Sequence, residues 1–430
     1  MFFLSAAAAA LAATPLSAQD APASTADSTA ALREQIRQLD QNLRILERKL
    51  ELKEDAAAAA AKKSPVVSID AKGFVASSGD KAYSLKIGTL LQTDGRFFID
   101  DAAPNRDTLL LRRVRLPING TFSKIFTFNL TPEFAQTDTA GNNTQLVDAW
   151  VNARLSPAFG LKIGKFFGPV ALESPNPRHF IESTYTNQLA PNRDIGLEAN
   201  GVFAEKIIAY RLGLYQGAAN NTWAESVNLA DGDFTVGGRL TLAPFAAQED
   251  AFPKVQFSAG FSYGHESASN GRIRTNAQQT LLNPGNYSGD HTRVNDAIEF
   301  YHGPFSLIAE NTLEIWDLDD GSTITGLAWR VSGGIVLTGE KSTNRGVSPA
   351  EPFNLEKNHW GALELVARVS GIKVFRPGTD VDAFTYGVGL NWFINNNFQF
   401  RLDVEKSEFG SGVALRKDEF AVLTRFQVNF

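Results

Sequence analysis

Cysteine is absent from the 430-residue chain, which suits an oxidising compartment where stray thiols would cross-link. Histidine is scarce. The five residues His179, His265, His291, His302 and His359 stand far apart, without the spacing a metal site needs. No Gly-x-Ser-x-Gly elbow is present either. Asp317-Leu318-Asp319-Asp320-Gly321 hints at a calcium loop but lacks the ligand spacing and closing Glu; it reads as an acidic turn between strands. No catalytic residue, metal or cofactor is expected. Excess positive charge is also missing. With 41 Lys+Arg against 47 Asp+Glu the net charge is -6, which argues against nucleic acid as a partner. Any preference for anions must come from cations placed locally. Beyond the first 20 residues no apolar run is long enough for a spanning helix. A membrane crossing would therefore need a closed barrel, because every backbone N–H and C=O in lipid must be paired internally.

What is present falls into three parts. Residues 1–18 read as a secretory signal peptide, with an apolar stretch from Phe2 to Leu11 and Leu16-Ser17-Ala18 before Gln19. No Lys or Arg precedes that stretch, and Leu16 is not small, so the true start is left open. Residues 19–63 read as a periplasmic segment: a polar lead from Gln19 to Thr29, a helix, and a flexible alanine-rich stretch from Ala56 to Ala61. Leu32, Ile36, Leu39, Leu43, Leu46 and Leu50 recur at alternating steps of four and three. That is the seam of a short parallel coiled coil. An amphipathic helix folded onto the rest of the chain is the simpler alternative. So short a coil is marginal alone and would gain from several copies being held together. Tethering the barrel to the cell wall or to a periplasmic partner is a secondary reading.

Residues 64–430 change period from 3.6 to 2.0. Phe126, Phe128 and Leu130 alternate with Thr127, Asn129 and Thr131; Val255, Phe257, Ala259, Phe261 and Tyr263 alternate with Gln256, Ser258, Gly260 and Ser262. Soluble sandwiches alternate too. Here the strands run to about ten residues, repeat without helices and place aromatics near their ends, as a lipid-spanning barrel requires. Phe426, Val428 and Phe430 share one face of the last strand, the pattern outer-membrane assembly machinery reads. The fold class is all-β, a transmembrane antiparallel barrel behind a short helical coiled coil.

Several segments in order resemble the phosphate-selective porin O and P family. They include Leu111-Arg112-Arg113-Val114-Arg115-Leu116, Val147-Asp148-Ala149-Trp150, Ile163-Gly164-Lys165-Phe166-Phe167-Gly168-Pro169, Leu337-Thr338-Gly339-Glu340 and Gly389-Leu390-Asn391-Trp392. The resemblance runs from about Ala71 to Phe430. It implies sixteen strands, a homotrimer with one pore per subunit, and an inward loop forming a constriction. The function it implies is passive diffusion of small anions, phosphate or polyphosphate first, across the outer membrane.

Alternation puts Arg113 and Arg115 on the face of Asn119 and Thr121, toward the lumen. Arg112 falls on the apolar face unless it lies past the membrane edge or a bulge intervenes. By resemblance Arg112 and Arg113 line the constriction, and Lys162 or Lys165 supplies a central lysine. Asp148 would hold the arginines and prevent too tight a site, and Arg272 and Arg274 begin an arginine ladder guiding anions inward. Arginine and lysine suit phosphate as a planar fork and a point charge. Basic residues solvating a wide lumen, and an ordinary lumen ion pair at Asp148, are the simpler readings. Two departures weaken strict phosphate specificity. The ladder stops at Asn276, and Leu90 stands where phosphate-selective members carry an inward arginine. A general or differently tuned pore, a barrel anchor and an outer-membrane hydrolase are the alternatives.

Overall fold

The computed structural model describes residues 25–71, 73–99, 106–135, 144–172, 177–221, 233–246, 254–283, 285–410, 412–413 and 418–430. The signal peptide expected over residues 1–18 lies outside them. The chain forms two compact units, up to Ser64 and from Pro65 onward.

The first unit is one helix, α1 (Thr25–Lys63). It is longer than the three heptads of the seam, and the alanine run continues it, in keeping with alanine's helix propensity. Ion pairs Glu34–Arg37, Asp40–Arg44 and Arg48–Glu51 brace its surface, each worth a few tenths of a kcal/mol at about 0.3–0.5. The six seam residues are 56–64% exposed. The apolar seam is present, and its residues are exposed among the described residues.

The second unit is a closed barrel of sixteen antiparallel strands. In order they are β1 (Ser84–Ile87 and Leu90–Phe98), β2 (Thr108–Arg115 and Ile118–Phe122), β3 (Phe126–Glu133), β4 (Gln145–Ser156), β5 (Phe159–Phe167) and β6 (Arg193–Phe203). Then come β7 (Ile208–Tyr215), β8 (Thr235–Leu242), β9 (Lys254–Asn270), β10 (Asn286–His302) and β11 (Phe305–Leu318). The last five are β12 (Thr323–Val336), β13 (Ala362–Phe375), β14 (Val381–Phe393), β15 (Phe398–Phe409) and β16 (Glu419–Asn429). Each strand pairs with the next, and β16 returns to β1 from Ala421↔Phe98 to Asn429↔Leu90. Closure leaves no open edge in lipid.

β1 and β2 each break once, at Gly88-Thr89 and at Leu116-Pro117, where proline cannot donate to the ladder. The Thr89 N–H donates to the Phe430 carbonyl at 2.8 Å, and the Phe430 N–H to that of Thr89 at 3.2 Å. A Cβ at Gly88 would lie 2.3 Å from the Phe430 oxygen, so the closing seam needs glycine there.

The alternation inverts the usual soluble pattern. On β10 to β12, Val294, Ile298, Leu307, Leu327 and Trp329 are exposed outside, while Arg293, Asn295, Glu310, Thr312 and Arg330 are buried inside. An apolar outside with a polar inside is stable only with lipid around the barrel. One outward polar pair interrupts the belt, Asn311 donating to Asp296 at 3.3 Å.

One rim carries turns as short as residues 157–158 and 303–304, although residues 337–361 also lie there; the other carries the long connections 168–192, 216–234 and 271–285. Residues 168–172 and 177–192, including the helical turn α2 (Tyr185–Gln188), fold into the lumen. The hairpin Ile273–Arg274/Thr280–Leu282 packs beside them, and Tyr185, Leu189, Ile273 and Leu281 form an apolar cluster with Trp316, Ile324, Ala328 and Ile372 of the wall.

Candidate channel constriction

The inward loop has no sheet to satisfy its backbone, and a buried carbonyl must find a donor. Wall arginines supply them. Arg239 donates to Pro169 O at 2.8 Å, Arg401 to Phe180 O at 2.9 Å, Arg425 to Ile181 O at 2.5 Å and Arg368 to Glu182 O at 2.7 Å. Arg178, on the loop, forks onto Glu364 at 2.6 and 2.9 Å. His179 hydrogen-bonds Ser306 and Ser332 at 2.8 and 3.0 Å. Burial first, and then the surrounding arginines, push His179 well below its ordinary value, so it stays neutral. None of these clamps was read from the sequence. Alternation marks Arg239, Arg368 and Arg401 as inward, but only the folded loop shows what they hold.

At the far face of the loop Glu182 meets β1, β2 and β16. Its carboxylate accepts Arg112 at 2.6 and 3.2 Å, Arg425 at 2.9 Å and Arg96 at 3.3 Å. Arg425 also forks onto Asp94, its Nε and Nη2 each donating at 2.7 Å. Arg113 donates to Gln92 at 2.5 Å, and Arg113 and Arg274 both lie in the electrostatic reach of Arg112 and Glu182. Five guanidiniums thus gather around two carboxylates. Burial alone would raise the Glu182 carboxyl, but Arg112, Arg425 and Arg96 outweigh it and hold the group well below the usual carboxylate range.

Arg112 comes inward through a bulge. Gln92 pairs with Arg113 and Thr93 with Leu111, so Arg112 is the extra residue. Leu111 stays on the lipid face, 56% exposed. The escape expected for this charge is the one the strand uses. Arg113 and Arg115 face the lumen as alternation requires.

Other expectations are redirected. Asp148 does not hold Arg112 or Arg113; it faces Arg193 at 3.5 Å. Glu182 and Asp94 are the carboxylates that contact this arginine cluster, because the loop brings Glu182 across the lumen. Arg115 pairs with Glu133 at 2.6 Å. Lys162 points inward, 3.5 Å from Glu198, its ammonium 5.1 and 4.7 Å from the ring centres of Trp150 and Phe166. Lys165 pairs in register with Ala149 and Ile195, on the face of outward Ile163 and Val151. Successive odd positions share a face, so Lys165 cannot join Lys162 in the lumen. Arg272 is exposed and donates to Thr280 at 2.6 Å, while the Arg274 amide donates to Gln188 at 3.2 Å. Only Arg274 of that pair reaches the arginine cluster. Phe426 and Phe430 are exposed on the outer face.

Among the described residues no group of three or more His, Asp or Glu is arranged to hold a metal ion, and no helix is long and apolar enough to cross a membrane. No curated protein matches the chain in sequence. Solved structures match its fold. OmpT of Vibrio cholerae with loop L8 deleted aligns with a TM-score of 0.57 at 11% identity, covering 81% of this chain and 100% of that one. OprB of Pseudomonas putida aligns at 0.53 and 11%, covering 82% and 95%. OmpF of Salmonella typhi aligns at 0.50 and 12%, covering 81% and 98%. The family described as phosphate-selective porin O and P matches residues 86–430, nearly the whole barrel, and the chain belongs to that family of outer-membrane channels.

Proposed function

We propose that the chain is a passive outer-membrane channel for small anions, phosphate or polyphosphate among them, with the inward loop as its constriction. The observation that carries this reading is the gathering, among the described residues, of Arg96, Arg112, Arg113, Arg274 and Arg425 near Asp94 and Glu182. Convergent guanidiniums replace hydration lost by an entering anion. The net charge of -6 has the wrong sign for anions, so this local surplus would do the selecting. Lys162, Arg115 and Arg193 line the path more weakly, each beside a carboxylate. A pore tuned to anions in general is the second reading, favoured by inward-facing Leu90 and by that pairing.

The working unit is a homotrimer. β3, β5, β7 and β8 hold only 8 or 9 residues, at or below the roughly 9–11 needed to span lipid, so neighbouring copies would cover this short wall. The exposed seam of α1 would join the same copies as a periplasmic coiled coil. OmpT of Vibrio cholerae, of the same fold, is described in a trimer form. Phe426, Val428 and Phe430 would serve as the segment read during assembly.

Reversal potentials across planar bilayers under a potassium chloride gradient test the reading. Anion preference is expected, with added phosphate competing for the chloride current. A cation-selective or non-conducting barrel would overturn it and favour an anchor or an enzyme.

A further inference from the structure

Toward the rim of short turns, which faces the periplasm in barrels of this kind, lies a cavity of about 450 Å³. That is within the range of small-ligand pockets, roughly 300–1,000 Å³. It is bounded by the foot of the inward loop at Pro177 and Arg178, by the turn between β14 and β15, and by a small hairpin, Ser342–Thr343/Gly346–Val347, in the connection 337–361. Among the described residues its lining holds seven carboxamides and four arginines against one carboxylate, Glu299. Some of the amides are structural. Asn395 Oδ1 accepts the N–H groups of Asn397 and Phe398 at 2.8 and 2.9 Å, and Asn397 donates to Ala71 O and Asn429 O at 2.6 and 2.7 Å. Others are not committed. The side chains of Asn344, Gln399 and Arg345 make no hydrogen bond or ion pair among the described residues. Arg401 adds a second guanidinium, held to the loop by Pro177 O at 3.1 Å and Phe180 O at 2.9 Å.

A carboxamide donates through its nitrogen and accepts through its oxygen. The charged oxygens of inorganic phosphate only accept, so they gain from arginines and nothing from amide oxygens. A hydroxyl group both donates and accepts, and matches an amide on both counts. We infer that this cavity binds a sugar phosphate as it leaves the channel, its phosphate meeting Arg345 and Arg401 and its hydroxyls meeting Asn344 and Gln399. The inference rests on the anion-channel reading and extends it. The constriction sorts solutes by charge; the cavity beyond it sorts anions by their hydroxyls. Each contact is a single neutral or charge-assisted hydrogen bond at an open mouth, weak enough for release, as a conducting path requires.

The test uses the full chain in planar bilayers, with glucose 6-phosphate, inorganic phosphate and glucose each titrated from either side against chloride current. Glucose 6-phosphate added on the short-turn side should halve the current at a lower concentration than inorganic phosphate, and glucose should need the most. Gln399→Leu removes the amide at nearly constant volume and leaves the charge. It should raise the half-blocking concentration of glucose 6-phosphate about three- to tenfold, the worth of one hydrogen bond, and leave that of inorganic phosphate unchanged. Asn344→Ala, on the exposed hairpin outside the barrel ladder, should act in the same direction and keeps the idea testable if Gln399→Leu does not assemble. Arg345→Gln should weaken block by both anions. Equal block by the two anions in the wild type would overturn the proposal. So would stronger block by glucose 6-phosphate that neither amide variant changes, since that would place the block at the constriction. Failure of the anion-channel reading shows separately, in a wild-type reversal potential without anion preference.

Discussion

The two sides of the inward loop are chemically opposite. Toward β11, β12 and β13 it presents Tyr185 and Leu189, both fully buried against Trp316, Ile324, Ala328 and Ile372. Toward β1, β2 and β16 it presents Glu182 to Arg96, Arg112 and Arg425. Both sides are buried; the first is an apolar core, while the second sets a charge cluster beside the packing of Ile181 against Phe98, Ala421 and Leu423. In the proposed channel the charged side is the one expected to carry anions and the apolar side the one expected to exclude them. A loop held only by charge would leave gaps for leakage, and one held only by apolar contact would not select.

The strongest way to break this contrast is to remove the charge. Arg112→Ala with Arg113→Ala should abolish most of the anion preference in reversal-potential measurements while the barrel still conducts. Next comes the seal. Leu189→Ala opens a cavity in the apolar cluster at a cost of about 2–5 kcal/mol, and single-channel recording should show larger conductance with reduced anion preference. A smaller effect concerns pH. Neutral His179 binds a proton more readily once the loop is displaced, so the loop's hold should weaken as pH falls below the ordinary histidine value of 6.5. Closures and flickers should be more frequent at acid pH in the wild type and pH-independent in His179→Gln. The smallest effect separates two neighbouring lysines. Lys162→Ala should lower anion preference slightly, whereas Lys165→Ala, on the outer face, should leave it unchanged.

Much of the barrel was legible because lipid imposes a period of two that no loop can hide. The outward faces of β3, β9 and β16 follow the alternation of Phe126, Val255 and Phe420. The strand number came through family resemblance, since alternation cannot count strands broken at Gly88 and Pro117. The candidate site was half legible. Arg113 and Arg115 follow from alternation; Arg112 depends on a bulge that sequence allows but cannot place. Glu182 was not found, because its partners Arg96, Arg112 and Arg425 are brought to it by closure of β16 onto β1 and by a loop with no periodic signal. Its one local trace is an acid directly after the apolar pair Phe180-Ile181 in a long connection. Asp148 was placed beside the wrong arginine because spacing along a strand does not report which partner crosses the lumen, whereas of Lys162 and Lys165 the alternation itself singles out Lys162 as inward.

The absence of native cysteine makes the proposed division of the lumen directly measurable, since any introduced cysteine is the sole thiol. Asn119→Cys lies on the inward face of β2, on the side proposed to carry anions, and Ala328→Cys within the apolar cluster. A negatively charged methanethiosulfonate reagent added to open channels should rapidly reduce the current through Asn119→Cys and leave Ala328→Cys untouched. Equal modification and equal block at both positions would contradict a lumen sealed on one side by its own loop.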